Sequence, residues 1–250
     1  MLRSQINIFC QDAAQPVWNS SFPLVPSGFL DIWRAPLDLS GKITDPFRPL
    51  LDAEEIRKAN SFYRQEDKLR YLTGRGFLRK LAGNYLNRDP RTLVFSQSPY
   101  RKPILKADQP FHFNLSHAGD WVVIALSSAP VGIDIEPVNK AFAHEEVVSR
   151  FFEASEKAFI AASPSPKEAF FKLWTRKEAF LKGIGLGLSD HLQEYCLLDG
   201  KQTVTIAEHQ IYSAWRLESF RMRGDHWLSI ASSDMELSPR YFDVSALPEA

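Results

Sequence analysis

"PFHFNLSHAGDWVVIALSS", Pro110 to Ser128, decides the architecture. Phe111, Phe113 and Leu115 alternate with His112, Asn114 and Ser116, the period of a strand with one buried face. Ala118-Gly119-Asp120 supplies a turn, and Trp121 to Leu126 forms a second, more apolar strand, so the segment reads as a β-hairpin. Near the other end of the chain, "DHWLSIASS" (Asp225 to Ser233) echoes "DWVVIALSS" (Asp120 to Ser128). Setting Trp121 on Trp227 also sets Ile124 on Ile230 and Ala125 on Ala231. Two similar core strands would produce that much alone, but the wider pattern agrees. Each half runs strand, helices, then a β-meander. The expected fold is α+β, with two similar subdomains in a pseudo-twofold arrangement, each a small mainly antiparallel sheet packed with helices.

"SSAP" (Ser127 to Pro130) marks the expected boundary, giving an N-terminal half over 1–128 and a C-terminal half over 129–250. In the first half, residues 1 to 27 read as irregular, and Gly28 to Leu39 as a strand. Asp52 to Leu81 has helical spacing broken at Gly74 and Gly76, and "RTLVFSQ" (Arg91 to Gln97) reads as a short strand. In the second half, "VGIDIEPV" opens a strand, helices cover 142–162 and 167–183, and the remainder is β-rich.

Composition excludes more than it selects. The chain of 250 residues is 44% apolar and 24% charged, ordinary for a globular protein with a sizeable core. Thirty basic residues balance thirty acidic ones, so the overall charge points to neither nucleic acid nor an anionic membrane. The balance is not local: Arg57 to Lys80 holds eight basic residues against Glu66 and Asp67, a net of 8 − 2 = +6, which suits an anionic ligand. Cys10 and Cys196 have no metal or disulfide spacing, the N-terminus lacks a signal-peptide core, and no run is apolar enough to span a bilayer. The expectation is a cytoplasmic protein.

Two stretches carry chemistry. In "VGIDIEPV", Asp134 and Glu136 share one strand face while Val131, Ile133 and Ile135 share the other. The pair reads either as the solvated face of an edge strand or as a hard-metal site, since Mg²⁺ is held by one or two carboxylates plus substrate phosphates. In "FFKLWTRKEAFLKGIG" (Phe170 to Gly185), the apolar arc of an amphipathic helix runs from Phe180 through Leu173, Phe170, Leu181 and Trp174 to Phe171. Lys177 falls inside that arc, and Glu178 lies between Trp174 and Phe171. Either these charges snorkel or pair with other buried charges, or they face a ligand. Lys182, four residues after Glu178, either makes a weak surface pair with it or meets an anion. A metal holding a diphosphate accounts for all five charges together. Gly183, Gly185 and Gly187 follow a helix and so serve as a cap and turn, not a phosphate cradle. No GxSxG, HExxH or paired cysteine motif occurs.

"VGIDIE" followed by "LWTRKEAFLKGIGLGLS" resembles the two signature motifs of 4′-phosphopantetheinyl transferases, of the larger single-chain type with two similar halves. "RKPIL", "FNLSHAGDWVVIALS" and "RFFEASE" (Arg150 to Glu156) match three further family motifs in order, so the resemblance covers residues 28 to 190. It implies transfer of 4′-phosphopantetheine from coenzyme A to a serine of an acyl or peptidyl carrier protein, with release of 3′,5′-ADP. It also implies an active site at the interface of the halves. Carried over by position, Asp134, Glu136 and Glu178 would bind Mg²⁺ or Mn²⁺, and Lys182 and Lys177 would neutralise the diphosphate. Glu178, Glu156 or a metal-held water would take the serine proton. Lys58, Arg70, Lys102, Ser116 and His117 would bind the 3′-phosphate of coenzyme A. Some relatives carry a further basic residue just ahead of Lys58, where Glu55 and Arg57 stand here. The implied enzyme is a monomer that needs neither nucleic acid nor membrane. Two rivals are a metal-dependent nuclease or phosphodiesterase and a non-catalytic module binding acidic carrier domains. The first lacks a Glu-x-Lys after the acidic strand, and the second has no use for Glu178 in an apolar face.

Overall fold

The computed structural model describes residues 4–25, 27–37, 42, 44–98, 102–186, 190–206, 212–223 and 225–247. In chain order its elements are β1 (Ser4–Asp12), β2 (Leu30–Pro36), α1 (Ala53–Asn60), α2 (Gln65–Leu86), β3 (Phe95–Gln97), β4 (Pro103–Leu105), β5 (His112–Ala118), β6 (Trp121–Ser127) and β7 (Val131–Pro137). There follow α3 (Glu145–Phe151), α4 (Ala154–Ala162), α5 (Pro166–Ile184), β8 (Gly200–Ile206), β9 (Ala214–Met222), β10 (His226–Ser232) and β11 (Arg240–Asp243). The mixture of small sheets and packed helices is the α+β class expected.

The chain divides into two compact units. One comprises Met1–Pro16 and Ala129–Leu237, the other Val17–Ser128 and Ser238–Ala250. The internal break thus falls after Ser128, but the expected division into consecutive halves needs correction at both ends. β1 adds to the unit that holds β7 to β10, and β11 adds to the one that holds β2 to β6.

The hairpin Pro110 to Ser128 forms as read: β5 pairs antiparallel with β6, and Ala118 stands opposite Trp121. β2 pairs antiparallel with the other side of β6, and β11 runs parallel to β2, giving the sheet order β11-β2-β6-β5. α2 packs over this sheet around a core of Trp33, Phe77, Leu81, Ile124 and Leu126. It runs unbroken through Gly74 and Gly76. A Cβ on Gly76 would collide with Phe47, so this glycine permits close packing and does not end the helix. The two helices of this region separate earlier, at Ser61–Arg64.

The other unit repeats the central plan. β7 pairs antiparallel with β10, and β10 with β9, as β2 does with β6 and β6 with β5. β1 and β8 extend this sheet to the order β7-β10-β9-β1-β8, with β1 parallel to β9 and antiparallel to β8. The expectation of an irregular N-terminus is therefore wrong over Ser4–Asp12, while no further strand or helix forms among the described residues up to 27. Ile6, Ile8 and Cys10 alternate into the core, but their partners lie far along the chain, where no local pattern reveals them. α5 lies across β7 and β10, packed on a core that includes Phe180, Leu181 and Trp215.

Candidate functional site

β7 presents Gly132, Asp134 and Glu136 on one face, and α5 lies directly against it. A Cβ on Gly132 would overlap the carbonyl oxygen of Ala179 and the backbone nitrogen of Gly183, so only glycine lets helix and strand meet. That close approach carries Glu178 and Lys182 to the carboxylates of the strand. Lys182 Nζ donates to Asp134 Oδ1 at 2.6 Å and lies 3.4 Å from the carbonyl oxygen of Ile133. Asp134 is almost wholly buried, at 3% exposure, while Glu136 and Glu178 are half-buried.

Electrostatics couple the three acids. Burial, then the charge of Asp134, pushes the Glu136 carboxyl up to about 7, against the pull of Lys182 and with a further push from Glu178. Glu178 is pushed up to about 7 by burial and again by Asp134, with Lys182 opposing. Such acids lie close enough to oppose one another's ionisation. Even so, among the described residues no three His, Cys, Asp or Glu side chains are gathered closely enough to hold a metal ion. The donor set is all carboxylate, which is the chemistry a hard cation requires. A cation would also offset the mutual repulsion.

Lys177 and Glu156 do not join this group. Both are fully buried, with Lys177 Nζ 2.8 Å from Glu156 Oε2. Lys177 also donates to the carbonyl oxygens of Leu192 at 2.9 Å and Tyr195 at 2.5 Å, which uses its three protons. Glu156 accepts the backbone N–H groups of Glu153 and Leu197, both at 2.9 Å. Burial lowers the Lys177 ammonium from its ordinary range, while Glu156 supports it. The lysine in the apolar arc thus has the bland explanation, a buried partner. The expectations of diphosphate binding by Lys177 and proton transfer by Glu156 are corrected accordingly. The "RFFEASE" segment is legible in another way: Glu153 and Glu156 form the capping box that starts α4.

In the other unit, a cavity of about 510 Å³ opens between α1, α2, β3 and β5. Lys58, Arg70 and His117 line it, as do Arg75, Tyr71 and Phe95, over an apolar floor of Leu78, Phe113 and Leu115. Lys58 stands 5.2 Å above the Tyr71 ring, and the Arg75 guanidinium 4.5 Å above Phe95. Arg70 donates from Nε and Nη2 to the carbonyl oxygen of Gly119, each at 3.3 Å, and so ties α2 to the hairpin turn. Ser116 and Lys102 do not line this cavity. Ser116 is buried on the face of β5 opposite His117, and Lys102 lies near His112. Burial brings the Lys102 ammonium down to about 8, and burial followed by Lys102's charge lowers His112. Of the five basic and polar positions, Lys58, Arg70 and His117 thus share the cavity, and Lys102 and Ser116 lie outside it.

Glu55 explains why the local excess of positive charge is smaller than it looks. It accepts from Arg75 Nε at 2.8 Å and Arg79 Nε at 2.6 Å, while Asp52 takes Arg79 Nη2 at 2.7 Å. Asp52 and Glu55 also form the capping box of α1. Sequence reading missed Tyr71, Arg75 and Phe95 because their relation to the cavity depends on how α2 meets β3. The one available signal was the Asp-x-x-Glu box at Asp52. Gly187 and Arg101, which belong to the quoted motifs, lie outside the described residues.

Comparison with known proteins places both parts of the chain in one family. Residues 130–231 match the 4′-phosphopantetheinyl transferase superfamily, and residues 46–129 match the family described as 4′-phosphopantetheinyl transferase, N-terminal. The chain is 35% identical over 159 residues to a 4′-phosphopantetheinyl transferase of Bacillus subtilis, covering 63% of this chain and 70% of that protein. It is 34% identical over 177 residues to 4′-phosphopantetheinyl transferase psf-1 of Bacillus pumilus, covering 68% and 74%. It is also 34% identical over 164 residues to 4′-phosphopantetheinyl transferase HetI of a Nostoc species, covering 63% and 69%. Asp134, Glu136, Glu178 and Lys182 all fall within the superfamily match, and Lys58, Arg70 and His117 within the N-terminal one. The chain belongs to the 4′-phosphopantetheinyl transferase superfamily.

Proposed function

We infer that this protein transfers the 4′-phosphopantetheine group of coenzyme A to a serine of a carrier protein, converting apo to holo carrier and releasing 3′,5′-ADP. The observation that carries this reading is the meeting of β7 and α5, where Lys182 stands 2.6 Å from Asp134 beside Glu136 and Glu178. Phosphoryl-group transfer demands alignment and charge stabilisation and no covalent enzyme intermediate, so carboxylates, a cation and a lysine suffice.

Asp134, Glu136 and Glu178 would hold Mg²⁺ or Mn²⁺. When bound, that ion supplies Lewis-acid stabilisation of the charge on the diphosphate. Lys182 binds the diphosphate and stabilises the leaving phosphate. Glu178, beside Asp134 and within reach of Lys182's charge, would accept the proton of the attacking serine. Considered by itself, the cavity of the other unit offers Lys58, Arg70 and His117 to a phosphate and the rings of Tyr71 and Phe95 to a flat base. Lys102 and Ser116 are outside that cavity and have no role in this reading.

We place the enzyme in the cytoplasm as a monomer acting without nucleic acid or membrane. Among the described residues no helix is long and apolar enough to cross a membrane. Incubation with coenzyme A, Mg²⁺ and an unmodified carrier, followed by mass spectrometry of the carrier, tests the assignment. A mass gain of one phosphopantetheine arm is expected. No gain across a panel of fatty-acid, polyketide and peptide carriers overturns it.

A further inference from the structure

Resting on the transferase reading, we propose that Arg75, aimed by the buried Glu55, lets the cavity between α1, α2, β3 and β5 tell a nucleotide with a 3′-phosphate from one without it. Glu55 is 5% exposed, and both of its oxygens are engaged. One accepts from Arg75 Nε at 2.8 Å and lies 2.5 Å from Arg75 Nη2. The other accepts from Arg79 Nε at 2.6 Å and from the backbone N–H of Asp52 at 3.1 Å. Arg79 is itself buried and fixed by Asp52 and by the carbonyl oxygens of Pro90 and Leu93. Glu55 therefore has no lone pair left for a ligand and acts through Arg75.

Arg75 presents what Glu55 leaves over. A guanidinium has five N–H donors and can grip an oxyanion along either of two edges with paired hydrogen bonds. Glu55 occupies the Nε–Nη2 edge, and the guanidinium stands 4.5 Å above the Phe95 ring. Among the described residues Arg75 hydrogen-bonds to nothing but Glu55, so its Nη1–Nη2 edge stands open where the side chain lines the cavity. A phosphate there meets a fork already held by a carboxylate at one edge and a ring on one face, at little cost in side-chain entropy. Lys58, a point charge on a flexible stem, attracts any anion and selects none. The charge of Arg75 is offset by Glu55, so what it adds is directed hydrogen bonding and not net attraction. An acid in the cavity wall thus strengthens the hold on an anion, the reverse of what its charge alone predicts.

Calorimetric titration of the full chain with 3′,5′-ADP and with 5′-AMP, which differ only in the 3′-phosphate, tests the proposal without a carrier. The wild type should bind 3′,5′-ADP at least about tenfold more tightly, the order expected of hydrogen bonds to a charged group. Arg75→Lys keeps the charge but lacks the fork, and should lose most of that preference while binding 5′-AMP as the wild type does. Glu55→Gln should also weaken 3′,5′-ADP binding, although it removes a negative charge from the cavity wall. Wild-type affinity for 3′,5′-ADP in Arg75→Lys overturns the proposal, as does tighter or unchanged binding by Glu55→Gln. Equal losses for both nucleotides would reduce the pair to a structural support and overturn it too. So does a wild type that binds the two nucleotides alike, a measurement that needs no variant. Arg75→Lys leaves the pair of Glu55 and Arg79 in place, so its result stands even if Glu55→Gln fails to fold. If the proposal fails while the wild type still modifies its carrier, the transferase reading survives.

Discussion

Glu136 and Glu178 stay protonated up to about pH 7 because burial and the nearby Asp134 oppose their ionisation, whereas the ordinary value is 4.5. The folded chain therefore binds more protons than the unfolded chain between these limits. The stability this contributes is fully present below about pH 4.5 and lost as pH rises through about 7. In chelator at pH 8, Glu178→Gln should raise the unfolding free energy by on the order of 1–2 kcal/mol and flatten its fall with pH, as read by urea denaturation. The same substitution should abolish transfer, because the amide neither accepts the serine proton nor neutralises a cation. Asp134→Ala should also abolish transfer while leaving a cooperative melt. Full activity in either variant removes that residue from the site. Lys182→Ala should lower kcat more than it raises KM, and a pure rise in KM would restrict Lys182 to ground-state binding.

At the scale of the element, what matters is how α5 is held. Gly132 admits the helix to β7, so Gly132→Ala should cost about 2–3 kcal/mol by overpacking and reduce turnover through displacement of Glu178 and Lys182. A variant with wild-type stability and kinetics would show that the strand tolerates retreat of the helix. The buried pair of Lys177 and Glu156 anchors α5 to α4 and to the backbone at Leu192, Tyr195 and Leu197. Lys177→Met or Glu156→Gln alone should cost about 3–5 kcal/mol, since each leaves a buried group without its partner. Replacing both should recover much of that loss. A double-mutant cycle that is additive would deny the coupling.

Across the molecule, the two termini exchange units, so the chain crosses between them three times in sequence. β1 lies between β9 and β8, with Ile6 and Ile8 fully buried. Asp12, just inside its end, accepts from Lys172 and Arg176 of α5 at 2.7 and 2.8 Å. Deleting residues 1–12 should therefore abolish cooperative unfolding of the unit that holds β7 and α5, which circular dichroism melting would detect. A shortened chain that melts like the full one would show β1 to be dispensable. Much of this architecture was legible beforehand. The hairpin at Pro110–Ser128, the break after Ser128 and the acidic face of β7 all arise from neighbours in sequence, where periodicity and turn residues speak directly. The α2 glycines misled, since a glycine that ends a helix and one that admits a neighbouring side chain look alike until that neighbour is placed.

By itself the sequence determined the α+β class, the repeated strand–helix–meander plan and the order of the motifs, because each rests on local spacing. Only the tertiary structure decided which charges lie together. Lys177 and Glu178 are adjacent on one helix, yet the first turns into a sealed ion pair and the second toward Asp134. That distinction depends on what packs against each side of α5, and packing between segments distant in the chain leaves no trace in local pattern.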